Sequence, residues 1–288
     1  MTQLPAIWPA TDLIIFDCDS TLTAVEGIDE LARLTDSVED VAALTKRAMD
    51  GEIPLESVYS HRLDISNPTR AQVNHIRRIY RQHVIPGAAK LIEALQELNC
   101  KVFIVSGGLI EPVRDFGVWL GVPRENIYAV DMEYDQLAGQ WWRYWEQPGG
   151  HNPQANYLNV RESPLTGTGG KNLMIRAIRA NHAGRAMLVG DGLSDLEARS
   201  EVELFVGFGG AAYRERVARE SPLYIQRGGL AALLPLALGR LASRRGQVWA
   251  SLYTEGLAQI EQGDVLFNDL EMQKHFADAV LHVQNRHF

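Results

Sequence analysis

LIIFDCDST, residues 13–21, is the stretch that decides how this chain folds. Four apolar residues, rich in isoleucine, end abruptly in Asp17-Cys18-Asp19. That is the pattern of a buried parallel strand with polar residues at its carboxyl end. The pattern recurs at KVFIVSGG (101–108), AMLVGDG (186–192) and ELFVGFGG (203–210), and helix-like stretches such as 88–98 and 172–180 fall between. Strands alternating with helices specify an α/β fold, an open parallel sheet with helices on both faces. Ligands bind such sheets at the carboxyl ends of the strands, so the polar residues there are the ones to weigh.

Working outward, residues 25–85 interrupt the alternation. GIDELARL, VEDVAALTKRAMDG and TRAQVNHIRRIYRQH carry apolar residues at helical spacing, and Pro86-Gly87 then returns the chain to the sheet pattern. This reads as a small helical cap inserted after the first strand, with residues 1–24 and 86–238 forming the core. Residues 131–147, around WWRYW (141–145), read as a β-hairpin, and 147–170, rich in Gly, Pro, Asn and Ser, as a long loop. Trp141, Trp142 and Trp145 read as hairpin packing, with a ligand-stacking platform as the alternative. The run Leu230–Leu241 is too short to cross a bilayer and reads as a buried helix. From about residue 239 the chain reads as a helical extension. Its Trp249, Leu252, Tyr253, Leu257 and Ile260 either pack on the core or form a homodimer contact.

Composition narrows the function. The chain has 288 residues, 46% apolar and 22% charged, with a formal net charge of −8. That balance argues against nucleic acid as a partner, which needs a basic surface, but not against a small anion in a locally positive cleft. Two cysteines, Cys18 and Cys100, could form one disulfide with each other but make no disulfide framework. With no secretory pattern at the N-terminus and no membrane span, the expected location is the cytoplasm.

Four acids stand at expected strand ends: Asp17 and Asp19 after the first, Asp191 and Asp195 after a later one. Carboxylates gathered in one crevice need a cation, and magnesium accepts such hard oxygen ligands beside a phosphate. In extended chain Asp17 and Asp19 face one way and Cys18 the other. One carboxylate can attack phosphorus while the second moves protons. Ser106, before Gly107-Gly108, offers a hydroxyl and backbone N–H groups to phosphate oxygens. Lys171, after Gly169-Gly170, offers a fixed positive charge. Each piece alone has an ordinary reading, as a helix cap or a tight turn. Gly167–Lys171 is not a nucleotide P-loop, because Leu165 and Asn172 stand where Gly and Ser or Thr are required.

FDCDST (16–21), SGG (106–108), GGK (169–171) and GDGLSD (190–195) together resemble the four motifs of haloacid-dehalogenase-superfamily phosphatases. EGIDELARL (26–34), TKRAMDG (45–51), HRLDI (61–65) and VGFGG (206–210) resemble the phosphoserine phosphatases among them. The resemblance implies that superfamily's Rossmann-like core with a C1-type cap. It implies Asp17 as nucleophile, Asp19 as general acid and base, and magnesium on Asp17, the backbone carbonyl of Asp19 and Asp191, with Asp195 in support. Ser106, Gly107 and Lys171 would bind phosphate. Glu26, Met49, Arg62, Gly108 and Ser194 would bind a small phosphorylated substrate, Glu26 its ammonium and Arg62 its carboxylate. Phosphoserine is the substrate so implied, and the alternative is another small monoester: a sugar, polyol or amino-alcohol phosphate. Leu55 and Ala211 depart from residues usual in some members, as does the tryptophan-rich 140–168 insert. A catalytically silent binding protein is disfavoured by the intact set Asp17, Asp19, Ser106, Lys171 and Asp191.

Overall fold

The computed structural model describes residues 7–49, 55–137, 141–146, 152–241 and 249–281. In chain order its strands are β1 (Leu13–Phe16), β2 (Lys101–Leu109), β3 (Ile127–Val130), β4 (Met132–Tyr134), β5 (Tyr157–Val160), β6 (Ala186–Gly190), β7 (Leu204–Phe208), β8 (Leu223–Ile225) and β9 (Val265–Phe267). Seven of them form one sheet in the order β3-β2-β1-β6-β7-β8-β9, parallel throughout except for β9, which runs antiparallel to β8.

Strand β1 lies between β2 and β6, and every side chain in it is at most 1% exposed. Full burial on both faces explains why its sequence does not alternate. Ile14 and Phe16 join one core with Leu91, Ile92, Val113 and Phe116, while Leu13 and Ile15 join a second with Phe103, Ile175 and Ile178. Each such side chain contributes about 1.5–3 kcal/mol by leaving water, so β1 is fixed in depth and register. Cys18 and Cys100 are free and buried.

Between β1 and helix α5 (Ala88–Glu97) the described residues form four helices: α1 (Gly27–Leu34), α2 (Val38–Met49), α3 (Leu55–Ser66) and α4 (Arg70–Gln82). Thr69 and Gln72 cap α4 reciprocally, and Val73, Ile76 and Tyr80 give it one buried face. The chain's two passages between these helices and the sheet run side by side, with Ala24 N–H donating to His83 O and Ile85 N–H to Leu22 O. Helix α6 (Ile110–Trp119) follows β2 directly, and α7 (Gly170–Asn181) precedes β6.

Four sequence expectations need correction. The hairpin is not built from residues 131–147: β4 pairs with β5, and Trp141–Glu146 is a short 3-10 segment. Trp141, Trp142 and Trp145 are 48%, 51% and 66% exposed, so they are not packing a hairpin. The stretch read as a loop over 147–170 therefore supplies a strand, in which Tyr157 turns inward and Leu158 outward. Finally, the segment after 239 is not all helical, because β9 extends the sheet. Its helix Ala250–Glu261 buries Trp249, Leu252, Tyr253, Leu257 and Ile260 in the chain's own core. The apolar run Leu230–Leu241 does contain a buried helix, Leu233–Leu238. Among the described residues no helix is long and apolar enough to cross a membrane.

Candidate active site

Strand register gathers the site. Phe16 pairs with Ile104 on β2 and with Val189 on β6, so Asp17, Ser106 and Asp191 emerge at one level. Asp17 N–H still donates to Val189 O at 2.9 Å, which holds the nucleophile candidate to the strand end. Its Oδ1 accepts from the N–H of Cys18 at 2.7 Å. Cys18 itself turns into the core, whereas Asp17 and Asp19 both line one cavity of about 210 Å3. That is below the roughly 300–1,000 Å3 of drug-sized sites, and suits a substrate of few atoms.

Lys171 enters from the first turn of α7. Gly170 lets it do so: a Cβ there would stand 1.7 Å from the carbonyl oxygen of Pro164. The Lys171 ammonium donates to Asp17 Oδ2 and to Asp195 Oδ1, each at 2.6 Å. Burial alone would pull its pKa down, but the two carboxylates more than reverse this and hold it above the usual lysine value. Asp195 is fully buried, takes Gly192 N–H at 3.1 Å, and is pushed upward by burial despite the ammonium beside it. The two shifts describe one situation. A single buried ammonium serves two carboxyl groups, and it does not fully offset the burial of Asp195.

Asp191 accepts from Thr21 Oγ1 at 3.2 Å and from Arg214 Nε at 2.8 Å. Burial, then the charge of Asp17, raises its pKa. Asp17, Asp191 and Asp195 have carboxylate oxygens within 4.8 Å of one another, all buried. Three buried carboxylates, two on the Lys171 ammonium and one on Arg214, offer the hard oxygen donors that a magnesium ion takes, so the residues fit such an ion. The carboxylate of Asp19 is not in this cluster.

Asp19 has a different setting. Its Oδ2 accepts from Gly27 N–H at 3.2 Å, and burial followed by the charge of Glu26 raises its pKa well above the ordinary value, against the opposing hydrogen bonds of Tyr80 and Gly27. A carboxyl whose surroundings favour its proton can serve as a proton donor. Gly108 passes close by, where a Cβ would meet Asp19 Oδ2 at 3.2 Å. Ser106 is buried and lines the cavity, and its Oγ accepts from Gly108 N–H at 3.0 Å.

From the helical segment come Glu26 and Arg62. Glu26 Oε1 accepts from Ser20 Oγ at 2.8 Å and Arg214 Nη2 at 3.0 Å. Arg62 donates from Nη2 to Asp29 at 2.8 Å and leaves its buried Nε without an acceptor. Gly107, Gly108 and Ser194 also line the cavity. The side chain of Met49 lies outside the described residues. Sequence reasoning missed Arg214, Ile28 and Tyr59, all cavity-lining. Tyr59 stands one turn before Arg62 on α3, a spacing that could have found it. No spacing signal marks Arg214, which reaches the site from beyond β7.

Comparison with known proteins gives three results. A family model described as haloacid dehalogenase-like hydrolase matches residues 11–130. Human phosphoserine phosphatase is 30% identical over 226 residues, covering 78% of this chain and 93% of that one. Among solved structures, a phospho-aspartyl intermediate analogue of a phosphoserine phosphatase superposes with a TM-score of 0.62 at 23% identity, over 78% of this chain and 98% of that one. The DsGPDH structure from Dunaliella salina superposes with a TM-score of 0.61 at 25% identity, over 75% of this chain but only 34% of that one.

Proposed function

This chain belongs to the haloacid dehalogenase-like hydrolases, within their phosphoserine phosphatase family, and from that premise we propose that it hydrolyses O-phospho-L-serine through an aspartyl-phosphate on Asp17. Its class of reaction is phosphomonoester hydrolysis. The observation that carries the finer reading is the contrast between two neighbouring acids. Asp17 accepts a 2.6 Å hydrogen bond from the Lys171 ammonium, and Asp19 is a carboxyl whose surroundings favour its proton.

In this reading a carboxylate oxygen of Asp17 forms a bond to phosphorus as the bond to the seryl oxygen breaks. Asp19 gives its proton to that departing oxygen, so serine leaves neutral at its hydroxyl. A water then attacks phosphorus, Asp19 takes the water's proton, and the bond to Asp17 breaks to release phosphate and restore the carboxylate. Lys171 and the Ser106 hydroxyl hold the phosphoryl oxygens through both steps. Magnesium, held by Asp17, Asp191 and the backbone carbonyl of Asp19 with Asp195 in support, supplies positive charge against the phosphoryl group.

Glu26 and Arg62 flank the small cavity with opposite charges, which suits a substrate carrying both an ammonium and a carboxylate. The test is phosphate release from a panel of small monoesters with magnesium, repeated with Glu26→Gln and Arg62→Ala. A lead of phosphoserine by at least about tenfold, lost in both variants, supports the assignment. A sugar, polyol or amino-alcohol phosphate in the lead, unaffected by these variants, overturns it and leaves the hydrolytic chemistry standing.

A further inference from the structure

A second concavity, of about 1340 Å3, opens between α4, α6 and the β4–β5 ribbon and shares no lining residue with the catalytic cavity. Six arginines line it: Arg70, Arg77 and Arg81 from α4, Arg114 from α6, Arg124 from the turn beyond α6, and Arg161 after β5. In a protein of net charge −8 such a concentration needs local compensation. Most of it is present. Glu111 holds Arg70, Asp115 holds both Arg77 (3.4 Å) and Arg81 (2.5 Å), and Asp131 and Glu133 hold Arg161 at 3.1 and 3.4 Å. The remaining lining carboxylate, Glu146, pairs outside the groove with Arg143 at 3.6 Å.

Every acid of the groove is thus engaged, and two arginines are left over. Among the described residues neither Arg114 nor Arg124 has a carboxylate at ion-pair distance, and the Arg114 Nε–H is buried without an acceptor. The two guanidiniums also oppose each other. Burial, then the charge of Arg124, lowers the pKa of Arg114, and Asp131 offsets this from beyond pairing distance. Two unpaired planar forks facing one concavity are complementary to one group with two negative charges and several oxygens. A phosphate monoester dianion is that group; a single carboxylate would neutralise only half the charge. Trp119 and Leu158, 46% and 59% exposed, give the same groove an apolar wall for the rest of such a molecule.

We propose that this groove is a second ligand site, which takes a small phosphate-bearing molecule with its dianionic head between Arg114 and Arg124. The site is independent of whichever ester the catalytic cavity hydrolyses. Phenylphosphonate is a suitable probe, being dianionic, ring-bearing and not a phosphomonoester. Arginine modification by phenylglyoxal, mapped by mass spectrometry on the full chain, reads each residue separately. Adding the probe should slow modification of Arg114 and Arg124 several-fold. In Arg124→Gln the protection of Arg114 should need at least about tenfold more probe, as expected on losing a charged hydrogen-bonding partner. Phosphatase kcat/KM should stay within about twofold of the parent in that variant, which also reports that it is folded. Unchanged modification rates at both arginines under millimolar probe would overturn the proposal. So would protection of Arg114 that survives Arg124→Gln undiminished.

Discussion

The ammonium of Lys171 stands 2.6 Å from Asp17 Oδ2 across 154 residues of chain, and both groups are buried. With Asp195 at the same distance, this lysine is the hub on which two carboxylates depend. Lys171→Ala strands both anions away from water, and breaking a buried pair of this kind costs about 3–5 kcal/mol. We expect a fall in Tm together with a loss in kcat of at least about a hundredfold, the scale of removing one charge-stabilising donor. Thermal melts and steady-state kinetics check both parts. A variant as stable as the parent would show that Lys171 is not compensating these acids.

Asp19 and Asp17 should separate kinetically. On the proposed mechanism Asp17→Asn removes the attacking carboxylate, so no phosphate ester should react. Asp19→Asn leaves the attacking group and removes the proton donor, which an aryl phosphate with a good leaving group does not require. That variant should release a burst of aryl alcohol close to one equivalent per site and then stall, because water goes unactivated. Rapid-mixing absorbance measurements read this directly. Equal loss in the burst and in turnover would remove Asp19 from the second step alone and place it in the first.

Gly170→Ala tests the backbone beneath the hub. A Cβ at this position would lie 1.7 Å from Pro164 O and 2.9 Å from Leu165 N, so the first turn of α7 must shift. Because Lys171 is the next residue, the shift carries its ammonium away from Asp17. Displacements near 1 Å in a catalytic group cost about a hundredfold in rate. We expect kcat to fall by that order with substrate KM changed much less.

The candidate site carboxylates were legible because each stands after an apolar run that only a buried strand explains. LIIF, KVFIV and AMLVG announce β1, β2 and β6, and their carboxyl ends hold Asp17, Ser106 and Asp191. The short strands were not. β8 and β9 have three residues each, too few for a period to show, and β9 is half-buried at its end. The β4–β5 pairing is set by Met132 opposite Val160 across a long insertion, while the tryptophans that suggested a hairpin stay at the surface. Arg214 was invisible for another reason. Its role in the cavity depends on the packing of a segment after β7 against Glu26 and Asp191, a tertiary relation without a local sequence trace.

Magnesium dependence should carry a pH signature. In the metal-free protein burial, then the charge of Asp17, pushes the Asp191 carboxyl up to about 6. A raised carboxyl pKa means that the anion is the disfavoured form, and a divalent cation must displace the proton to bind. The sign follows. Above pH 6 Asp191 is mostly ionised and its proton no longer competes with the metal. As pH falls through 6 the proton competes, and the half-saturating magnesium concentration should rise toward about tenfold per pH unit. Arg214, which donates to Asp191 at 2.8 Å, opposes the raised value. Arg214→Ala should therefore move the break to higher pH, so that weak magnesium binding sets in nearer neutrality. Titrating magnesium at fixed substrate from pH 5 to 8 in both proteins measures the break. An affinity independent of pH over this range would mean that Asp191 is not among the groups the metal displaces a proton from.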